Sequence, residues 1–230
     1  MKEILYNSTF LGVLISLAGY ELGTVLKRKF NKPIFNPLLI SIVVVVAFLL
    51  ICGIDYDTYN EGAKYISYLL TPATVCLAIP LYEELELLKK NVAAILIGII
   101  SGTLTSLTCI LVMAFVFHFS HEEYVTLLPK SITTAIGMGV SEELGGMVTI
   151  TVAVIIITGI LGNIIAETIC KVFRIKHPIA KGIALGSSAH AIGTAKAIEM
   201  GRIEGAMSSL SIAISGLLTV IGASIFATFM

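Results

Sequence analysis

Two short stretches of this chain hold side chains able to grip a small polar molecule. In residues 129–143, helical spacing puts Ser131, Thr134, Met138 and Ser141 on one face, with Thr133 beside them. Gly137 and Gly139 let a second backbone or a ligand come close, and Lys130, Glu142 and Glu143 fence the stretch. Residues 186–196 bring Ser187, Ser188, His190, Gly193, Thr194 and Lys196 together, with Ser187, His190 and Thr194 at i, i+3 and i+7. Ser187 or Ser188 can cap a half-helix, whose free N–H groups and positive dipole end attract an anion. A histidine can change charge near neutral pH, so His190 is a candidate carrier of a coupled proton; a neutral packing role is the alternative. Glu142 and Lys196 are candidate charge partners, with Lys196 also placed to pair with Glu199 at i+3 or to snorkel to the membrane boundary. Thr71 and Thr74 bracket Pro72, whose missing N–H opens the local helix ladder. These groups recognise and orient a ligand. No H-E-x-x-H, G-x-S-x-G or complete G-x-G-x-x-G occurs, so no catalytic residue, metal ligand or cofactor is expected.

Those stretches sit in a chain of 230 residues that is 57% hydrophobic and 13% charged, with a mean hydropathy of +0.97. An ordinary soluble domain is about a quarter charged. Residues 33–54, 65–82, 91–117, 145–166 and 205–230 contain no Asp, Glu, Lys or Arg. About 20 apolar residues cross a bilayer as a helix. Alternating patterns of the kind that build a membrane β-barrel are absent. The expectation is an all-α, polytopic helical membrane protein of about six to eight membrane segments, forming one integral membrane domain over residues 1–230. Fifteen basic residues balance fifteen acidic ones, which leaves no footprint for nucleic acid. The four cysteines show no C-x-x-C spacing and suit packing positions. Ser16-Leu17-Ala18 resembles a signal-peptidase site, but the apolar run continues past it, so a retained first span is expected from about residue 8 to 26.

Lys and Arg favour the cytoplasmic side. Lys27, Arg28, Lys29 and Lys32, and later Lys171, Arg174, Lys176 and Lys181, mark cytoplasmic loops; residues 55–64 and 118–124 are acidic and external. The N-terminus is then external and residues 83–90 internal. Residues 131–141 are too short to span, about 16 Å as helix, and are expected to be re-entrant. Residues 182–200, interrupted by Gly182, Gly186 and Gly193, are expected to cross as a broken helix, which would place the C-terminus inside. Irregular backbone at such depth must line protein or a cavity. A faint repeat relates Ile100-Ser101-Gly102 and Leu104-Thr105 to Ile214-Ser215-Gly216 and Leu218-Thr219. With interrupted segments ahead of each copy, it suggests an inverted repeat and a transport site. Gly19/Gly23, Gly98/Gly102 and Gly182/Gly186 allow close helix approach, either within the chain or in a dimer.

Taken together, Asn36-Pro37-Leu38-Leu39-Ile40, Thr71-Pro72-Ala73-Thr74-Val75 through Pro80-Leu81-Tyr82, Pro129-Lys130-Ser131-Ile132-Thr133-Thr134, Val140-Ser141-Glu142-Glu143-Leu144-Gly145-Gly146 and Ser188-Ala189-His190-Ala191-Ile192-Gly193-Thr194-Ala195 resemble the LrgB/CidB membrane proteins. The resemblance covers nearly the whole chain. It implies a multi-pass protein of the bacterial cytoplasmic (inner) membrane, described as antiholin-like and tied to murein hydrolases and autolysis. Relatives include a plastidal glycolate/glycerate translocator, and bacterial members are linked to pyruvate movement. A smaller LrgA/CidA-type membrane partner is also implied. Ala135 stands where the family usually has Pro, and Gly139 where it often has Glu, a change that bears on ion coupling and substrate choice.

The expected function is a carrier of small 2-hydroxy or 2-oxo monocarboxylates working by alternating access. Its substrate would bind where residues 131–141 and 187–194 converge, with Thr133, Thr134 and Ser188 fixing the second oxygen function and a proton or sodium ion as coupling ion. A homodimer or higher oligomer in the lipid bilayer is expected. The alternative is an antiholin-like regulator of murein hydrolase activity without transport of its own.

Overall fold

A computed structural model describes residues 10–30, 32 and 34–230; Ser8, Pro33 and the rest of residues 1–9 lie outside the described residues, and with them the N-terminal boundary expected for the first span. The chain divides into two compact units, residues 1–76 and 77–230. The described residues form helices joined by turns and short irregular connections, with no strand.

In the first unit, α1 (Leu11–Phe30) packs through glycines. A Cβ on Gly19 would lie 3.2 Å from Ser41 Oγ, and one on Gly23 would lie 2.6 Å from Pro37 Cα. Both neighbours are on α2 (Pro37–Cys52), which Asn36 caps by accepting from the Leu38 N–H at 2.9 Å. Gly12 abuts the backbone of α3 (Tyr56–Ser67), and Tyr59 Oη meets Ser16 Oγ at 2.8 Å. Asp55 opens α3 by accepting from the Thr58 N–H at 2.9 Å, and these Thr58 bonds hold its carboxyl below the usual carboxylate range. The short α4 (Leu70–Cys76) follows.

The second unit begins with α5 (Ala78–Glu83) and the long α6 (Leu85–Phe117). It continues through α7 (His121–Leu127), α8 (Thr134–Glu143), α9 (Val148–Val172), α10 (Pro178–Met200) and α11 (Arg202–Ala227). Helices α6 and α9 and the segment Arg202–Phe229 are long and apolar enough to cross a membrane, as is the run Tyr56–Glu83 by length and composition. Ile97, Val116 and Leu217 are each more than 60% exposed, as lipid-facing side chains must be.

The expected crossing by residues 182–200 is not what forms. His190, at φ 42° and ψ −137°, breaks α10 into two limbs. A Cβ on Gly193 would stand 2.8 Å from the Leu185 carbonyl oxygen, whereas eight residues of straight helix separate their ends by about 12 Å. Leu185 and Ala197 share one buried cluster. Lys181 and Glu199 line the same cavity wall, beside the C-terminal turn of α9. The segment therefore enters and leaves at one end as a helical hairpin, with its tip against the middle of α9: Gly159 faces the His190 ring and Asn163 Nδ2 donates to the Ile192 carbonyl at 2.9 Å. The glycines permit this close packing. Gly182 and Gly186 abut the α11 backbone at Glu204 and Ser208.

Residues 128–143, earlier in the chain, make the first hairpin, entering from the opposite end; the α10 hairpin is the second. Thr126, Ser141, Met147 and Thr151 are hydrogen-bonded together there, while Ser131 reaches Ser106 in α6 at 3.1 Å and Ile136 touches Gly216 deep in α11. Residues 131–141 thus do not cross, as their length requires.

Because α10 returns to its own side, α11 crosses back. Its C-terminus lies with α7: His121 Nδ1 is 3.0 Å from the Met230 carbonyl oxygen, and Tyr124 Oη donates to that of Phe226 at 3.0 Å. The C-terminus thus lies on the same side as residues 118–124, so the expectations of an external 118–124 loop and of an internal C-terminus do not hold together. The inverted relation also changes its members. The Ile-Ser-Gly repeat relates α6 and α11, which run in the same direction, whereas α6 plus the first hairpin and α9 plus the second run oppositely. Apolar cores pack at both ends, one around Leu107, Tyr124 and Ile132, the other around Ile99, Ile183 and Met207. All three small-residue glycine pairs pack inside the chain.

Candidate functional site

A cavity of about 820 Å³ lies along the seam between α6 and the first limb of α10 and reaches the turn of the first hairpin. It runs from Asn91 and His177, at the end carrying Lys171 and Lys181, to Lys130 and Ser131 at mid-depth. Gly102 makes the approach possible, because a Cβ there would lie 2.9 Å from Ser187 Oγ.

Its polar atoms divide sharply by role. Lys130 Nζ donates to Ser131 Oγ at 2.8 Å, and Ser131 Oγ lies 3.1 Å from Ser106 Oγ. The half-buried ammonium retains further N–H donors, and among the described residues it has no carboxylate within ion-pair distance. Among the described residues, no Asp or Glu lines the cavity. By contrast, Ser187 Oγ donates to the Ile183 carbonyl at 2.8 Å and Ser188 Oγ to that of Ala184 at 2.6 Å. Thr105 Oγ1 donates to the Ser101 carbonyl at 2.7 Å. With their protons engaged in their own helices, these hydroxyls face the cavity as acceptors. One end of the cavity thus offers a cation and donors, and its long wall offers acceptors.

Of the residues singled out by spacing, Ser131, Ser187 and Ser188 line this cavity. The others do other things. Thr133 precedes α8 without a side-chain cap bond, and Thr134 is half-buried in its first turn. Ser141 accepts from Thr151 Oγ1 at 2.7 Å, in a fully buried node at the end of the unit opposite Asn91 and His177. Glu142 is exposed. His190 is buried at the hairpin tip, where Nε2, 2.9 Å from the Ile155 carbonyl oxygen, must carry the hydrogen. Gly193 is packed against Leu185 and Ala189, and Thr194 Oγ1 pairs with Ser208 Oγ at 2.7 Å. Lys196 Nζ lies 2.7 Å from Glu167 and 3.4 Å from Glu199, so the i+3 pairing forms alongside a closer partner. Thr71 and Thr74 belong to the first unit; both are exposed, and Thr74 Oγ1 donates to the Leu70 carbonyl at 2.7 Å.

Lys130 is the residue that spacing alone treated as a fence. The signal was present: neither i−4, i−3, i+3 nor i+4 offers it an acid. Ser101 and Thr105 carried a signal too, as members of the faint repeat, and both line the cavity. Among the described residues, no cluster of three or more His, Cys, Asp or Glu could hold a metal ion.

The LrgB-like family matches residues 16–229. The antiholin-like protein LrgB of Bacillus subtilis is 38% identical over 220 residues, covering 95% of each chain. The holin-like protein CidB of Staphylococcus epidermidis is 36% identical over 214 residues, 93% of each, and an antiholin-like protein LrgB of Bacillus cereus is 36% identical over 222 residues, 96% of each. No solved structure matches. On the family match and these near full-length relatives, this helical membrane protein belongs to the LrgB-like family.

Proposed function

We propose that this chain carries small 2-hydroxy or 2-oxo monocarboxylates, of the glycolate, glycerate or pyruvate class, across the bacterial cytoplasmic membrane. The observation that carries this reading is Lys130, a half-buried ammonium facing a cavity that contains no carboxylate. A buried charge without a partner is strongly disfavoured, and a ligand carboxylate supplies the missing anion. The acceptor wall of Ser187 and Ser188 complements the hydroxyl of a 2-hydroxy acid, which donates, better than a 2-oxo group, which only accepts. With the basic end cytoplasmic, the cavity opens inward and the apolar cluster around Ile132 closes the outer side. Rocking the two hairpins against α6, α9 and α11 would alternate access. His190 at the second tip is the candidate proton carrier; a sodium ion is the other coupling ion the fold allows. A smaller LrgA/CidA-type partner and a homo-oligomer belong to the same proposal.

The relatives' names favour a second reading more directly than they favour transport: an antiholin-like regulator of murein hydrolase activity and autolysis that moves no solute. One experiment separates the two. Liposomes containing only this chain are given labelled glycolate, glycerate and pyruvate. Saturable uptake whose half-saturating concentration rises in Lys130→Gln supports the carrier. Absence of uptake, with autolysis still altered in cells lacking the protein, supports the regulator.

A further inference from the structure

A second cavity, of about 630 Å³, opens at the basic end, where the last turn of α9, the linker to α10 and both limbs of α10 meet. Lys171, Arg174, Lys176 and Lys181 line it, with Glu167 and Glu199 on the same walls. The carboxylates are already engaged. Lys196 holds both, at 2.7 Å and 3.4 Å, and Lys171 adds a contact to Glu167 at 3.9 Å. Lys181 stands 3.9 Å from Glu204. Five cations thus meet three carboxylates, and two positive charges remain. Arg174 and Lys176 make no ion pair among the described residues.

Arg174 is also conformationally out of place. Its φ of 55° lies in the left-handed region, where it ends α9 with the Ile175 N–H donating to the Cys170 carbonyl at 2.8 Å. Glycine is the residue that fits this position without strain. At this position the chain carries a guanidinium in place of a glycine, and that side chain lines the cavity wall. Favourable interaction with the α9 dipole would explain a single cation in the last turn. It does not explain four converging on one cavity.

We infer that this cavity binds a phosphoryl group, with the Arg174 fork and the Lys176 ammonium as its principal donors. The two excess charges match the one or two negative charges of a phosphate ester, and guanidinium geometry suits its oxygens. The group can come from an anionic phospholipid headgroup at the cytoplasmic surface or from a soluble phosphate compound. The site is separate from the Lys130 cavity, so its failure leaves the carrier reading untouched.

Thermal unfolding of the purified full-length chain in a neutral detergent tests it. Inorganic phosphate, dioleoylphosphatidylglycerol and dioleoylphosphatidylcholine are added separately against sodium chloride at matched ionic strength. A saturable rise in Tm with phosphatidylglycerol alone assigns the headgroup, and a rise with phosphate alone assigns a soluble ligand. A rise with both supports the shared phosphoryl site. Arg174→Gly and Lys176→Gln should each weaken half-saturation by about tenfold. Because Arg174→Gly relieves the left-handed strain, it should unfold no earlier than the parent, so its lost response reports binding. No rise with either anion, or variants that respond like the parent, would overturn the site.

Discussion

The two hairpins reach similar depth by different means. The first turns through irregular backbone at residues 128–133, held by short turns such as Lys130 N–H to the Leu127 carbonyl at 3.1 Å. It brings a charged side chain and a hydroxyl to mid-depth, where both face the cavity. The second turns at His190 alone, in a conformation that L-residues rarely adopt, with the imidazole locked onto Ile155 and seated over Gly159. A loop tolerates an open polar surface because the surface is what the cavity needs. A one-residue break in a packed tip must be satisfied from within, so Asn163 and Ile155 complete it. In the first hairpin the polar groups at the tip remain available to a ligand; in the second they hold the tip itself together, and its cavity-facing serines sit below the turn on the first limb.

The largest effect should come from spoiling the second tip. A Cβ at Gly159 would lie 2.7 Å from His190 Cε1 and 2.8 Å from Ile192 Cδ1. Gly159→Val should destabilise the protein by about 1–3 kcal/mol through overpacking and abolish uptake with it. A Tm equal to the parent would show that the tip is loose and the contrast between hairpins wrong. His190→Gln probes the same tip more gently: if the imidazole only packs, uptake keeps its pH dependence, and if it carries the coupled proton that dependence flattens.

At the first tip the expected loss is of affinity instead of stability. Lys130→Gln keeps length and some hydrogen bonding but removes the charge. Loss of a charged hydrogen bond to the substrate carboxylate should raise the half-saturating concentration by about tenfold to a hundredfold. Thermal stability should hold or rise, since an unpaired half-buried cation is gone. A variant that unfolds early without an affinity change would make Lys130 a structural residue.

Much of this was written in the sequence at the level of single segments. Residues 131–141, too short and too polar at both ends to cross, could be recognised as re-entrant. The serines of residues 187–188 were recognisable as cavity residues because hydroxyls near glycines at membrane depth need an occasion. Residues 182–200 were misread for a physical reason. Their length equals that of a span, and nothing local distinguishes a kinked helix from one folded back on itself at a histidine. The deciding contacts, Gly193 on Leu185 and Lys196 on Glu167, are tertiary. The same limit concealed Lys130: its place in the cavity depends on Ser106 and Gly102 of another helix.

Lys196 sharpens the contrast from the other side. It is as cationic as Lys130, but it is neutralised by Glu167 and Glu199, and its side chain is only 16% exposed. Lys196→Gln should therefore lower stability by about 1 kcal/mol, a value discounted for the half-exposed partners, and leave the half-saturating concentration unchanged. A shift in affinity as large as that of Lys130→Gln would mean that the two lysines share one anion.

The smallest expected effect tests where the first hairpin stops being a binding surface. Thr134 follows the turn by one residue and shares a helical face with Ser131 in sequence, yet it does not line the cavity. Ser131, at the turn itself, bonds both Lys130 and Ser106. Thr134→Val preserves shape and removes the hydroxyl. If binding ends at the turn, half-saturation should change by less than about twofold, below 0.5 kcal/mol. A direct hydrogen bond lost to the substrate would cost about 1 kcal/mol, closer to fivefold. Ser131→Ala in parallel sets the scale, because it takes away the acceptor that positions the Lys130 ammonium. Equal losses in the two variants would extend the binding face into α8 and bring the first hairpin, like the second, into use along its length.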